Sequence, residues 1–385
     1  MSSVSGILPR AEGRWDRQWA IAGSGLASTM IPVSLIWDYS WESSIGVDRV
    51  WSPPHLATHL AVWLAAAVGL QCLLACTLAR RRGETVVGVS IGPFCAPAGA
   101  WVLLWAAALF EAVFPLDVWW QQAYGLGAGL WPPPQILKAT SFLALQFGSL
   151  MFAASFPNPP GARGRWLNWN SGMVLALTAI MLGTATLPNS QHSAPFYKLC
   201  AAVFPVTLLM ASAVGPGRWN ATLAALAYLG VSAVMVWLLP LFPARPLTSP
   251  IHNPMDHLMP PQFPLLLVAP AVAIDLVRRW VGRAGSWKSE IGLALAAGLV
   301  FVAAFLPAQW WFAGFLLSPA ADNWFVAGGG THWPFFLKID DARVMFWRGG
   351  DDALTWPALA AVFLLAAGSA FVGQYAGKFL RAWRR

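Results

Sequence analysis

Two histidines four residues apart, His55 and His59, follow the run Trp51-Ser52-Pro53-Pro54, and three carboxylates, Asp38, Glu42 and Asp48, precede them. Serine ahead of proline in a first turn is a helix start. The two imidazoles therefore fall one above the other on the first two turns of that helix. Imidazoles at this spacing can hold one metal ion. Asp38 and Glu42, at the end of the preceding apolar run, can add oxygen ligands or accept from imidazole N–H groups. Gly46 permits the tight return between them. The same residues have a plainer use. Asp38 and Asp48 can pair with Arg49 or accept backbone N–H groups at the helix start, and a wet interface tolerates histidine.

A second constellation lies in Pro250-Ile251-His252-Asn253-Pro254-Met255-Asp256-His257-Leu258-Met259-Pro260-Pro261. Imidazole beside thioether suits copper better than calcium or magnesium, and imidazole beside carboxylate also suits zinc. The prolines from Pro246 to Pro261 stiffen the loop, which favours a preformed site. They equally fit an ordered interfacial loop whose polar residues face water. Neither stretch carries a strong metal signature, since there is no His-Glu-x-x-His and no paired Cys-x-x-Cys. If the two stretches meet, His55, His59, His252 and His257, with Asp38, Glu42, Asp48 and Asp256, make one site for copper or, as second choice, zinc.

The elements that must position these groups are membrane spans. The chain is 57% hydrophobic and 10% charged, with a mean hydropathy of +0.57. Its uncharged runs each approach the roughly 20 residues needed to cross a bilayer. The runs are continuous, which excludes a β-barrel. The reading is an all-α polytopic transmembrane bundle of about ten spans, near 19–37, 55–79, 93–114, 134–155, 170–188, 197–215, 220–241, 262–279, 290–317 and 355–378.

With both termini cytoplasmic, most of the 24 basic residues fall inside, including Arg80, Arg81, Arg82, Arg163, Arg165, Arg218, Arg278, Arg279 and Lys288. This asymmetry sets topology and also explains the net charge of +8 without nucleic acid. It points to a bacterial inner membrane, with residues 1–18 and 380–385 as cytoplasmic tails around one transmembrane domain, 19–379. All six histidines fall at the outer side. Most of the 24 tryptophans lie near a predicted interface, as an aromatic belt requires. The outer loops 38–54, 115–133, 243–261 and 318–354 are the long ones.

The first outer loop has a degenerate copy. Asp117, Trp120, Gln121, Gly125, Gly127, Trp131, Pro133, Pro134 and Gln135 align with Asp38, Trp41, Glu42, Gly46, Asp48, Trp51, Pro53, Pro54 and His55. The copy keeps the Trp, Gly and Pro skeleton but replaces Glu42, Asp48 and His55 by Gln, Gly and Gln, and sets Ala139 against His59. Residues 19–79 and 93–155 thus read as tandem units, with an added chemical feature in the first.

Inside the spans, Glu111 is a functional candidate because ionisable groups there face a cavity or a partner. Its expected company is Asp117 or Lys138, and that of Asp275 is Arg278 and Arg279. Cys72 and Cys76, also four apart, more simply read as packed thiols than as a soft-metal relay.

Asp38, Ser40, Trp41, Gly46, Asp48, Trp51, Ser52, Pro53, Pro54 and His55 resemble a motif of a group of bacterial multi-pass membrane proteins. That motif runs Asp-x-Ser-Trp-His, then Gly-x-Asp, then Trp-Ser/Thr-Pro-Pro/Ala-His. The run His-x-x-x-x-His-Leu-x-Pro-Pro-x-Phe-Pro from His252 to Pro264 is similar to the same group. The chain departs at Glu42, where the group has His. The resemblance implies the fold over most of the chain and brings no established activity. The chain is more loosely similar to the membrane subunits of copper-dependent methane and ammonia monooxygenases, which place Asp and His at helix ends.

Two functions follow as expectations. One is a periplasm-facing transition-metal site in the membrane part of an oxidase or in a metal-handling factor. The other is a non-catalytic subunit of a membrane complex, docking a periplasmic or membrane protein through its Trp- and Pro-rich outer loops. A transporter ranks third, because the inner halves of the spans offer little polarity beyond Asp275.

Overall fold

A computed structural model describes residues 14–46, 51–86, 88–125, 131–155, 160–185, 191–282, 286–328, 333–338 and 353–382. These form ten helices: α1 (Arg14–Ser44), α2 (Pro53–Arg81), α3 (Ala98–Tyr124), α4 (Pro133–Ser155), α5 (Pro160–Ala185), α6 (Ala194–Val214), α7 (Asn220–Leu238), α8 (Val268–Val281), α9 (Trp287–Leu316) and α10 (Trp356–Ala382). The only strands among the described residues are β1 (Val89–Ile91) and β2 (Phe94–Ala96), an antiparallel pair between α2 and α3. The fold is all-helical, as the hydropathy requires.

Eight of the helices are long and apolar enough to cross a membrane. The expected spans 170–188 and 262–279 fall on the other two, α5 and α8. Helix α8 has 14 residues, so it rises about 21 Å, short of a roughly 30 Å hydrocarbon core. Residues 258–266 ahead of it run without regular structure. Helix α5 is long, 26 residues, but polar for a span: Asn168, Asn170 and Ser171 are all buried on it. It packs against α1, α4, α6 and α7 and contributes side chains to three separate core clusters. A helix sheathed by protein meets little lipid and needs less hydropathy.

Around α5 the core divides in two. Helices α1–α4 supply one cluster, with Ile31, Val62, Leu103 and Phe152 at its centre. Helices α6–α10 supply the other, built on Phe204, Leu208, Phe301 and Phe305. In a bilayer, helix association rests on close packing and interhelical hydrogen bonds, because lipid is as apolar as leucine. Both devices are present. Gly373 and Gly377 of α10 lie against Val206 and Ala213 of α6, where a Cβ on either would clash. Gln146 of α4 is fully buried, accepts from the Ser28 hydroxyl of α1 and donates to the Ser28 carbonyl at 2.7 Å. Interhelical polar contacts of this kind are worth about 1 kcal/mol each.

The two ends of the bundle differ. At one, Ala153, Leu167, Met210, Val214 and Leu380 close the core beside Arg279, Lys378 and the β1–β2 hairpin. This is the arginine end. At the other, the histidine end, the segment after α7 folds back over the end of α1. Ser40 donates to the Met259 carbonyl at 2.5 Å, the Met259 N–H donates to the Ser44 hydroxyl at 2.6 Å, and the Leu247 N–H donates to the Ile45 carbonyl at 2.8 Å. The Phe335 N–H donates to the Ser43 carbonyl at 3.1 Å, and the His252 N–H donates to the Phe335 carbonyl at 2.7 Å.

Candidate functional site

Ser52 stands at the N-cap of α2 in extended geometry with Pro53 starting the helix, so His55 and His59 do occupy its first two turns. They nevertheless face different neighbours. His55 Nε2 lies 3.5 Å from Asp38 Oδ1, joining α2 to the end of α1, with both side chains partly exposed. His59 reaches a different helix. Its Nδ1 is 3.0 Å from Glu111 Oε1 of α3.

His59 is 2% exposed, and its ring is boxed by Trp51, Trp63, Phe110 and Phe114 at centroid distances of 5.6, 5.7, 5.2 and 4.6 Å. Its Nε2 is buried and meets no hydrogen-bond partner. Glu111 is open by contrast, its side chain 38% exposed near the middle of α3. A carboxylate at that depth costs free energy unless it is neutralised. The imidazole beside it gives that carboxylate a hydrogen-bond partner.

Glu42 is exposed on the last turns of α1. Asp48 lies outside the described residues, as do His332 and the acidic pairs Asp340-Asp341 and Asp351-Asp352. In the loop before α8, His257 Nδ1 pairs with its neighbour Asp256 at 2.6 Å, and this hydrogen bond holds the exposed Asp256 carboxyl below its ordinary range. A backbone bridge between Pro243 and His257 pins the loop, while the His252 side chain is exposed. Met259 is 3% exposed, packed beneath the loop. Among the described residues, no three His, Cys, Asp or Glu side chains form a group able to hold a metal ion.

The second copy of the motif can be compared position by position. Asp117 Oδ1 accepts from Gln135 Nε2 at 3.5 Å, the same helix-end pairing that Asp38 makes with His55. Asp117 Oδ2 also accepts from Lys138 at 2.8 Å and from Gln121 at 3.0 Å.

Two expected partnerships are corrected here. Glu111 pairs with His59, while Asp117 and Lys138 pair with each other. Glu111 and Asp117 are six residues apart, so they point about 120° apart around α3. Asp275 does not rely on Arg278 and Arg279. Its carboxylate accepts from the Ser212 hydroxyl at 2.7 Å and from the Thr222 N–H and hydroxyl, both at 2.9 Å. Helix α7 begins after Trp219, whose side chain accepts nothing, so its first N–H groups need an outside acceptor. Asp275 of α8 is that acceptor. Arg279 instead stacks over the Trp219 ring at 3.6 Å.

One polar cluster at the histidine end has no counterpart in the sequence reading. Gln309, fully buried in α9, donates to Gln191 Oε1 at 2.6 Å and accepts from the Leu266 N–H at 2.9 Å. His192 beside it bonds the Trp310 carbonyl at 3.0 Å, and burial pushes this imidazole below its ordinary range. The available signal was Gln309 itself, a lone amide in a long apolar run.

No family model matches this sequence, and neither a curated protein nor a solved structure is significantly similar to it.

Proposed function

We propose that this chain is a non-catalytic subunit of a bacterial inner-membrane complex, whose histidine end faces the periplasm and docks a partner protein. One observation carries the reading. Three imidazoles at the histidine end take three different carboxylates: Asp38 with His55, Glu111 with His59 and Asp256 with His257. Groups so distributed fasten neighbouring elements to each other. The first joins α1 to α2, the second α2 to α3, and Asp117 with Lys138 joins α3 to α4.

The fastened end offers a surface. Leu247 is 82% exposed, Trp324 73% and Ile251 51%, all on connections beyond the helices. Apolar side chains held this way on a rigid cap favour protein docking. The matched pairs Asp38–His55 and Asp117–Gln135 support a tandem origin for α1–α2 and α3–α4. In this reading α5 and α8 also cross, α8 with the extended residues before it, making ten spans. The arginine end and both termini are then cytoplasmic.

A second reading rests on His59. A metal-ligating histidine usually has its other ring nitrogen on a carboxylate. His59 has Nδ1 on Glu111 and a buried Nε2 without a partner. Copper, then zinc, is the ion this reading takes.

The deciding experiment measures metal content of protein purified in detergent without chelator, together with a thermal double-mutant cycle on Asp38→Asn and His55→Gln. Substoichiometric metal and coupled stability losses are expected. One copper or zinc per chain, lost in His59→Ala, would overturn the fastening role in favour of the metal site.

A further inference from the structure

The connection between α2 and α3 at the arginine end carries a hairpin among its described residues. Helix α2 ends in Arg80 and Arg81 and is capped by Arg82, all exposed, with the exposed acid Glu84 following. The chain then forms the β1–β2 hairpin, with register Val89 to Ala96, Ser90 to Cys95 and Ile91 to Phe94. Its turn is Gly92-Pro93, where Gly92 takes φ +58°, a value suited to glycine.

The hairpin is fixed on its inner side. The Cys95 N–H donates to Thr77 Oγ1 at 3.0 Å, and Cys95 and Ala96 are buried against α2. Trp101 Nε1 of α3 donates to the Val89 carbonyl at 3.0 Å, and the Arg80 guanidinium donates to the Ser90 hydroxyl. What remains uncovered is apolar: Ile91 is 46% exposed, Phe94 44% and Val89 38%. A hairpin that displays Val, Ile and Phe, is held by Arg80 and follows Arg81 and Arg82 closely in the chain is unsuited to bulk water. Because it joins two spans directly, it sits at the membrane surface.

We propose that this hairpin and the Arg80-Arg81-Arg82 triplet form a binding site for an anionic phospholipid. The guanidinium groups match the phosphate in charge and geometry. Val89, Ile91 and Phe94 match the start of the acyl chains, as apolar faces of interfacial segments do. Charge complementarity selects this occupant: three arginines with the one acid Glu84 beside them match the net negative charge of an anionic leaflet.

The test uses the full chain in nanodiscs of phosphatidylcholine with or without phosphatidylglycerol, followed by native mass spectrometry of retained lipid. Wild type is expected to retain phosphatidylglycerol in preference to phosphatidylcholine. In Arg80→Gln/Arg81→Gln/Arg82→Gln that preference falls about tenfold or more, the scale expected for removing surface cations. The triple Lys variant keeps most of it. In Val89→Ser/Ile91→Ser/Phe94→Ser, retention of the anionic lipid falls although the charges remain. Raising salt on wild type weakens the preference, which tests the site without any substitution. An unchanged preference in the Gln variant or in high salt would overturn the proposal. Displacement of the lipid by inorganic phosphate would reassign the site to free anions, and stoichiometric protein on the same face would reassign it to docking.

Discussion

His59 and Glu111 meet at 3.0 Å across the seam between α2 and α3, one side chain almost wholly buried and the other partly open. The contact puts a carboxylate in the middle of an apolar helix only because an imidazole is there to meet it. Substituting His59 by Phe keeps an aromatic ring in the box but strands Glu111. His59→Phe should therefore lower the thermal midpoint, and His59→Phe/Glu111→Gln should recover most of the loss. A cost of about 1 to 3 kcal/mol for the single variant is the expected scale for a polar group that loses its hydrogen-bond partner. Fluorescence-monitored unfolding in detergent reads both. Equal loss in the single and double variants would remove the pair as a fastener.

Lys138 and Asp117 make the corresponding link between α3 and α4, with Lys138 19% and Asp117 8% exposed at the side chain. Lys138→Met leaves the carboxylate facing only the amides of Gln121 and Gln135. The variant should lose about 2 to 3 kcal/mol, the scale for an uncompensated polar or charged group. Adding Asp117→Asn should restore most of it.

Asp275 holds the start of α7 from a different helix. Asp275→Ala removes the acceptor for the Thr222 N–H and hydroxyl and for the Ser212 hydroxyl together. A loss of about 2 kcal/mol or more is expected, since each orphaned buried donor costs about 1 to 3 kcal/mol. Hydrogen exchange should rise first in residues 220–223. Protection unchanged there would contradict the capping role.

His192 gives a pH dependence with a definite sign. Burial lowers its folded pKa below the ordinary 6.5, so the folded chain prefers the neutral ring. The unfolded chain takes up the proton first as pH falls. The contribution of His192 is thus fully present above pH 6.5 and declines below it toward the folded pKa. The difference in thermal midpoint between wild type and His192→Gln should narrow as pH drops from 7.5 toward about 5. A difference that widens would reverse the assignment.

Gly373 tests the packing of α10 on α6. A Cβ there meets the Val206 carbonyl and its neighbouring backbone atoms, which cannot yield as a side chain would. Gly373→Ala should cost about 1 to 3 kcal/mol by overpacking. Gly368→Ala, where a Cβ meets open space, serves as the control and should be neutral or better.

Much of this molecule was legible in its residues. Continuous apolar runs called for spanning helices, and the Ser52-Pro53 start correctly set His55 and His59 on consecutive turns. The distribution of arginines marked one end of the bundle in advance. The polar character of α5 was visible too, but its meaning was not, because a helix surrounded by protein and a helix facing lipid differ only in their neighbours.

Partner choice is where the sequence ran out. Spacing put His55 and His59 on successive turns, and equally allowed them to share an ion or to part. The tertiary structure decided it by bringing Asp38 of α1 to one ring and Glu111 of α3 to the other. Glu111 and Asp275 show the same limit: each was recognised as a charge within a span in need of company, and each was assigned the wrong partner. Local periodicity fixes which direction a side chain leaves its own helix. The rotation and offset of the neighbouring helix, set by glycines and serines packing at a distance in sequence, fix what it meets.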